Sequence, residues 1–290
     1  MGLLIYAVGG DEFYAVSELL QMLKRDFKGD EYTRRLESRV RDEGYVSLGV
    51  PGGTTTLMTA MMTANTEVLS ILLEYGANIQ SVDVMGNDAF IFASIFGRPK
   101  NLECWLERFK DWDLNRRNTV VGGCALAYAA TIGSNKLQSV QCLVNAGADV
   151  RYKTFTGCGL LEHAVSNEDA DPEVVKFILA KINDATGNVI NSRRIPVRIK
   201  WRAIYFAAKV AYQTGCATSG LSKFLAMEGG TTALNKAVTR GDVEIVKILL
   251  ENGADPYVES DLGMNAFEIC DEAGPFPSVR NVLEEHDGRE

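Results

Sequence analysis

Two histidines and six cysteines are the residues of this 290-residue chain best suited to covalent or metal chemistry. Their spacing gives them little to work with. No two cysteines stand at zinc-ligand spacing, and only His163 and His286 could complete a set, so no metal and no cofactor is expected. The chain contains no G-x-S-x-G nucleophile elbow, no G-x-x-x-x-G-K-[ST] phosphate loop and no paired-histidine motif. The acid pairs Asp11-Glu12 and Asp271-Glu272 suit helix caps and solvated surface. Gly122-Gly123 and Gly229-Gly230 read as turn glycines. His163, beside Ala164 in an apolar run, is expected to pack or cap. No catalytic residue is assigned, and the chain is not expected to be an enzyme. What remains is the chemistry of recognition.

Two basic clusters bear on that. Arg34, Arg35, Arg39 and Arg41 lie in a stretch, Lys24 to Gly44, in which 13 of 21 residues are charged. Arg193, Arg194, Arg198 and Lys200 form a second patch in ATGNVINSRRIPVRIK. Such a patch suits an acidic peptide or a phosphate. The competing account is a solvated loop over a repeat edge. The formal net charge of −8 argues against nucleic acid as the main partner. No apolar run approaches the roughly 18–20 residues that span a bilayer, so no membrane insertion is expected. Cys104 and Cys142 fall in the same apolar column as Ile71, Phe177 and Ile248, which reads them as packed thiols. A reducing, cytoplasmic setting follows as an expectation, with the nucleus left open.

The elements that would position these residues are helical and repeated. In GTTALNKAVTRGDVEIVKILLENGADP, Gly230 to Pro256, Thr231 and Thr232 stand at a cap position. Leu234, Ala237 and Val238 then recur at helical spacing. Gly241 ends that helix, and Asp242 caps a second through Val243, Ile245, Val246, Ile248, Leu249 and Leu250, stopped by Gly253. Two helices this short need neighbours. Opening glycines recur at 53, 86, 122, 157, 230 and 263, with early steps of 33, 36 and 35 residues and a last step of 33. The 73-residue gap after Gly157 has room for a hidden copy, with Ile204, Ala207 and Ala208 in its first helix and Phe224 and Leu225 in its second.

These motifs resemble the ankyrin repeat family. The likeness rests on Gly-x-Thr-x-Leu starts such as Gly230 to Leu234 and on endings such as Leu249 to Asp255 and Cys142 to Asp149. The family's threonine-proline-leucine-histidine core is replaced here by Thr55-Thr56-Leu57-Met58, Cys124-Ala125-Leu126-Ala127 and Thr232-Ala233-Leu234-Asn235. The resemblance implies an all-α ankyrin-repeat solenoid of helix-turn-helix units with short β-hairpin-like tips and irregular insertions. The expected order is an N-terminal capping repeat (1–23), a charged insertion (24–50) and four ankyrin repeats (51–184). A basic insertion (185–200), a divergent ankyrin repeat (201–228), an ankyrin repeat (229–257) and a C-terminal capping repeat (258–290) follow.

The family binds protein partners on a concave face built from hairpin tips and first helices. Carried onto this chain, that face holds Val84, Met85, Ile95, Phe96, Val120, Val121, Ile132 and Phe155. The set is unusually apolar for positions facing water, which marks a contact site. The alternative is that insertion 24–50 or 185–200 covers it. The resemblance implies a non-catalytic adaptor or scaffold, monomeric when free, with a protein partner of unknown identity. The other roles open to such an array are an accessory domain of a larger enzyme or channel, or a structural subunit of a large assembly.

Overall fold

Short apolar runs, opened by a polar cap and closed by glycine, fold as seventeen helices in the computed structural model, which describes residues 3–40, 51–63, 65–183, 189–274 and 276–288. Residues 41–50 with Arg41, residues 185–188 of the basic insertion and Pro275 lie outside the described residues. Among the described residues there is no strand, only isolated bridges at hairpin tips, Arg39 with Thr55 and Lys153 with Gly159. The chain divides into two compact units, Met1–Ala148 and Asp149–Glu290.

The first unit holds α1 (Leu3–Gly9), α2 (Phe13–Asp26), α3 (Gly29–Leu36), α4 (Thr56–Thr63), α5 (Thr66–Glu74), α6 (Ala89–Ile95), α7 (Pro99–Arg108), α8 (Ala125–Thr131) and α9 (Lys136–Asn145). First helices stack as α1–α4–α6–α8 and second helices as α2–α5–α7–α9. Side-chain caps set several starts. Asn65 accepts from the N–H groups of Glu67 and Val68, and Asp88 accepts from that of Ile91. Residues Ala89 to Ser94 of α6 are all buried. An aromatic group packs around Trp105, which lies 5.0 Å from Trp112, 4.9 Å from Phe109 and 6.2 Å from Phe90 between ring centroids.

The charged arm packs on the first repeat. Tyr32 donates to the Tyr75 carbonyl at 2.7 Å, Glu37 accepts from the Asn78 N–H at 2.7 Å, and Arg39 donates to the Gly53 and Val82 carbonyls. Arg34 and Arg35 pair with Glu31. The arm thus takes the packed arrangement, with Arg34, Arg35 and Arg39 engaged within the unit rather than left for a partner.

The second unit holds α10 (Leu160–Ala164), α11 (Pro172–Asn183), α12 (Ile199–Gln213), α13 (Gly220–Glu228), α14 (Ala233–Thr239), α15 (Val243–Glu251), α16 (Ala266–Ala273) and α17 (Pro277–Asp287). Thr232 caps α14, Asp242 caps α15, and Pro172 opens α11. The 73-residue gap is filled differently from the expected hidden repeat. α10 packs directly on α14 and α11 on α15, while α12 and α13 pack chiefly on each other. Residues 201–228 form a helical hairpin beside the stack.

The backbone explains where that hairpin comes from. At the first repeat's tip, the Val40 N–H donates to the Thr54 carbonyl and the Gly53 N–H to the Val40 carbonyl. The Arg194 N–H donates to Thr231 and the Gly230 N–H to Arg194 in the same pattern. Arg194 and Gly230 thus face each other across one repeat's tip, and residues 195–229 are inserted into it. The Gly230 repeat begins near Val189, and its two halves are separated in sequence by α12 and α13.

Candidate functional site

The tips of the first unit are shaped by side chains that stand in for backbone. Asp83 Oδ1 accepts from the N–H groups of Met85 at 2.9 Å and Asn87 at 2.7 Å, which rolls the intervening residues outward. One repeat on, Asn118 Oδ1 accepts from Val121, Gly122 and Gly123. The two tips are joined. The Thr119 N–H donates to the Met85 carbonyl at 3.0 Å, and Asn118 Nδ2 donates to Asn87 Oδ1 at 3.1 Å. Gly86 has φ +81, and a Cβ there would stand 2.8 Å from the Thr119 nitrogen, so the close approach requires glycine.

This construction leaves Val84 58% exposed, Met85 36% and Val120 45%, with Val121 half-buried beside them. Ile95, Phe96 and Ile132 form a second group at the far ends of α6 and α8. The turns bearing them touch: a Cβ on Gly133 would lie 3.2 Å from the Ile95 carbonyl. Roughly 10 Å of helix, the length of α6, separates the two groups. All three residues are half-buried, and the Phe96 ring stacks on buried Phe92 at 6.2 Å. The expectation that Ile95 and Phe96 stand clear of the core is therefore corrected. Each contributes an edge to the surface and a face to the packing.

Phe155 is a plain correction, because it is only 5% exposed. The inserted segment covers it. The Val197 N–H donates to the Phe155 carbonyl at 3.0 Å, and the Arg198 guanidinium lies 3.4 Å from the ring centroid. The four residues of the expected basic patch also part company. Arg193 pairs with Asp261 at 2.7 Å and donates to the Gly230 carbonyl. Arg194 is buried, while Arg198 and Lys200 face solvent.

Arg194 belongs to a buried charge cluster that sequence reasoning missed. It pairs with Glu228, which also holds Lys236 of α14 at 2.5 Å, and Arg194 Nη2 donates to Thr156 Oγ1 at 3.2 Å. Glu162 and His163 of α10 border the cluster. Glu162 Oε2 accepts from the Gly159 N–H at 2.7 Å. Burial pushes the Glu162 carboxyl well above the usual carboxylate range, and burial lowers the Lys236 ammonium. His163 is half-buried as a residue, but its Nε2 is sealed from solvent, and that desolvation lowers it to about 4.

Such shifts also occur in catalytic sites, so the space around them decides. The adjoining groove, lined by Phe224, Met227, Glu228, Lys236, Arg240 and Met264, holds about 200 Å³. Ligand pockets run from about 300 to 1,000 Å³. The groove is side-chain sized. The cluster's evident task is mechanical, since Arg194 and Glu228 stand at the two ends of the insertion and close its neck. Among the described residues no group of acidic, histidine and cysteine side chains could hold a metal ion, and no helix is long and apolar enough to cross a membrane.

Comparison with known proteins fits this architecture. A family profile described as ankyrin repeats, in three copies, matches residues 161–260. No curated protein matches the chain significantly. Among solved structures, the ankyrin repeat domain of Bcl-3, titled a unique member of the IkappaB protein family, is 21% identical, with a TM-score of 0.59 and 97% of each chain covered. The ankyrin repeat protein EF0377 is 18% identical, with a TM-score of 0.44, covering 97% of this chain and 96% of that one. Residues 161–260 thus match the ankyrin-repeat family by sequence, and the chain shares its fold with a solved ankyrin repeat domain.

Proposed function

We propose that this chain is a non-catalytic adaptor that binds a protein partner on the tips of its first unit. Val84, Met85, Val120 and Val121 form the central contact, with Ile95, Phe96 and Ile132 as outer contacts. Ankyrin repeats are in general modules for protein–protein interaction. The observation that carries the reading is the exposure of three large apolar side chains from two hydrogen-bonded tips, on a packed helical support. Side chains held out from such a support cost little further ordering entropy on binding. Apolar anchors flanked by exposed Thr119 have the composition of an interface core and its rim.

Affinity capture from native extract tests it, with wild type beside the double variant Val84→Asp/Val120→Asp and thermal melts on both. Loss of a captured protein with an unchanged melting temperature is the expected result. Equal capture by both folded proteins would remove the tips as the site. Val84 and Val120 are better probes than Phe96, whose aspartate substitution would also disturb the stack on Phe92.

A further inference from the structure

The helical hairpin inserted into the Gly230 tip has a surface unlike the rest of the chain. The inserted residues 195–229 carry five Lys or Arg residues and a single acid, Glu228, which is paired at the neck, in a protein of net charge −8. The same stretch carries exposed Ile199, Phe206 and Val210, at 81%, 68% and 41%. α12 turns one face inward, where Tyr205 and Ala208 are buried and Trp201 meets Tyr205 at 6.5 Å. The other face is open.

The geometry of that open face is specific. Ile199, Ala203, Phe206 and Val210 are spaced four, three and four residues apart, which is the seam spacing of a coiled coil. At about 100° per residue they fall within about 60° of one another around the helix axis. All four are exposed. Cations stand beside the seam, Lys200 on one side and Arg202 and Lys209 on the other, with exposed Ala207 sharing the Lys200 side.

We propose that α12 is a docking helix whose occupant is an amphipathic helix of a partner protein with acidic flanks. Charge decides among the possible occupants. A second copy of α12 would set cation against cation along both flanks, which disfavours self-association. A membrane-surface helix presents a wide apolar face with charge opposite to it, whereas here the cations stand beside the seam and the opposite face carries buried Tyr205 and Ala208, which is the arrangement of a helix–helix seam. An acidic helix supplies apolar residues for the four seam positions and carboxylates for the three cations. The site is independent of the first unit's tips, so the two readings stand or fall separately.

The test uses the full chain and a fluorescein-labelled 21-residue probe helix with Leu and Ile at seam positions and Glu on both flanks. Its controls are the same helix with Lys flanks, a scrambled acidic peptide of equal composition, and vesicles of phosphatidylcholine and phosphatidylserine at 7:3. Fluorescence anisotropy should show the acidic helix binding at least tenfold more tightly than either control peptide. Phe206→Asp should weaken it at least tenfold without moving the thermal melt. The variant Lys200→Glu/Arg202→Glu/Lys209→Glu should reverse the preference to the Lys-flanked helix. Equal binding of ordered and scrambled acidic peptides, or an unchanged preference in the charge-reversed protein, would overturn the proposal. So would Phe206-dependent vesicle binding without probe binding, or a Phe206-dependent dimer in sedimentation velocity.

Discussion

The tip at Asn118 and the tip at Arg194 use the same pairing plan and close it by different means. In the first unit, Asn118 gathers three successive N–H groups with one side-chain oxygen, and the chain turns back within five residues. In the second, Arg194 pairs with Gly230 and Thr231 across an insertion that contains two helices. Loop closure entropy grows slowly, by about 0.6 kcal/mol per doubling, so three doublings of the loop cost only about 2 kcal/mol. A tip is thus a tolerant place to insert a new element, provided the neck is held. Here the Arg194–Glu228–Lys236 cluster holds it. The comparison teaches that one repeat type can display either a compact apolar tip or a projecting helical hairpin without changing the stack behind it.

Breaking the core of the first unit should have the largest effect. Trp105→Ala removes the centre of the aromatic group with Phe90, Phe109 and Trp112 and should cost about 3–5 kcal/mol. Urea unfolding followed by circular dichroism reads this directly. A loss below about 1 kcal/mol would mean that the cluster is not core. The buried charges of the second unit come next. Glu228→Gln leaves Arg194 and Lys236 buried without their counter-charge and should cost about 3 kcal/mol. Replacing all three residues by methionine should recover most of that loss, because well-packed apolar groups match buried ion pairs in stability. If the triple variant were no better than the single one, the cluster would be more than a clamp.

The two tips can also be separated by a smaller perturbation. Asn118→Ala strips the acceptor from three backbone N–H groups and should cost about 1–2 kcal/mol, since some of those groups can turn to water. It should also weaken binding at Val120, which that asparagine presents. Amide hydrogen exchange at Val121 to Gly123 reports the opening, and unchanged protection there would contradict the account.

Much of this was legible in the sequence. The caps at Thr232 and Asp242 and the glycine spacing follow from local chemistry that packing did not override. The insertion was not legible, because a helical hairpin carries the same 3.6-residue apolar period as a repeat, and 73 residues accommodate either. Two signals did separate them. The stretch has no opening glycine at the 33–36-residue step after Gly157, and it has no acidic residue over Val189 to Met227, unlike the repeats on both sides. The outward set was half legible. Val84, Met85 and Val120 are exposed as their tip positions imply, but Phe155 lies under Arg198, a contact between residues 43 apart that no local pattern encodes. The buried cluster was hidden for the same reason, since Glu162, Arg194, Glu228 and Lys236 are ordinary surface types until the fold gathers them.

The smallest effect expected in the intact protein is a cancellation, and it separates two neighbouring groups on α10 at the border of that cluster. His163 titrates near 4 in the folded chain, below its ordinary value of about 6.5, so between these values the unfolded chain binds more protons and stability rises with pH. Glu162 is shifted upward by burial, so above the ordinary carboxylate range the folded chain holds the extra proton and stability falls with pH. From about pH 4.5 to 6.5 the two slopes oppose each other, each bounded by about 1.4 kcal/mol per pH unit. His163→Gln leaves the Glu162 slope alone, so relative to wild type its stability should decline as pH rises through that window. Glu162→Gln leaves the His163 slope, and its relative stability should climb. Urea midpoints at four pH values for the three proteins give the comparison, with other carboxylates cancelling in the differences. Parallel profiles for the two variants would mean that the adjacent groups on α10 are not oppositely shifted, and that the neck of the insertion is wetter than the packing around Glu228 implies.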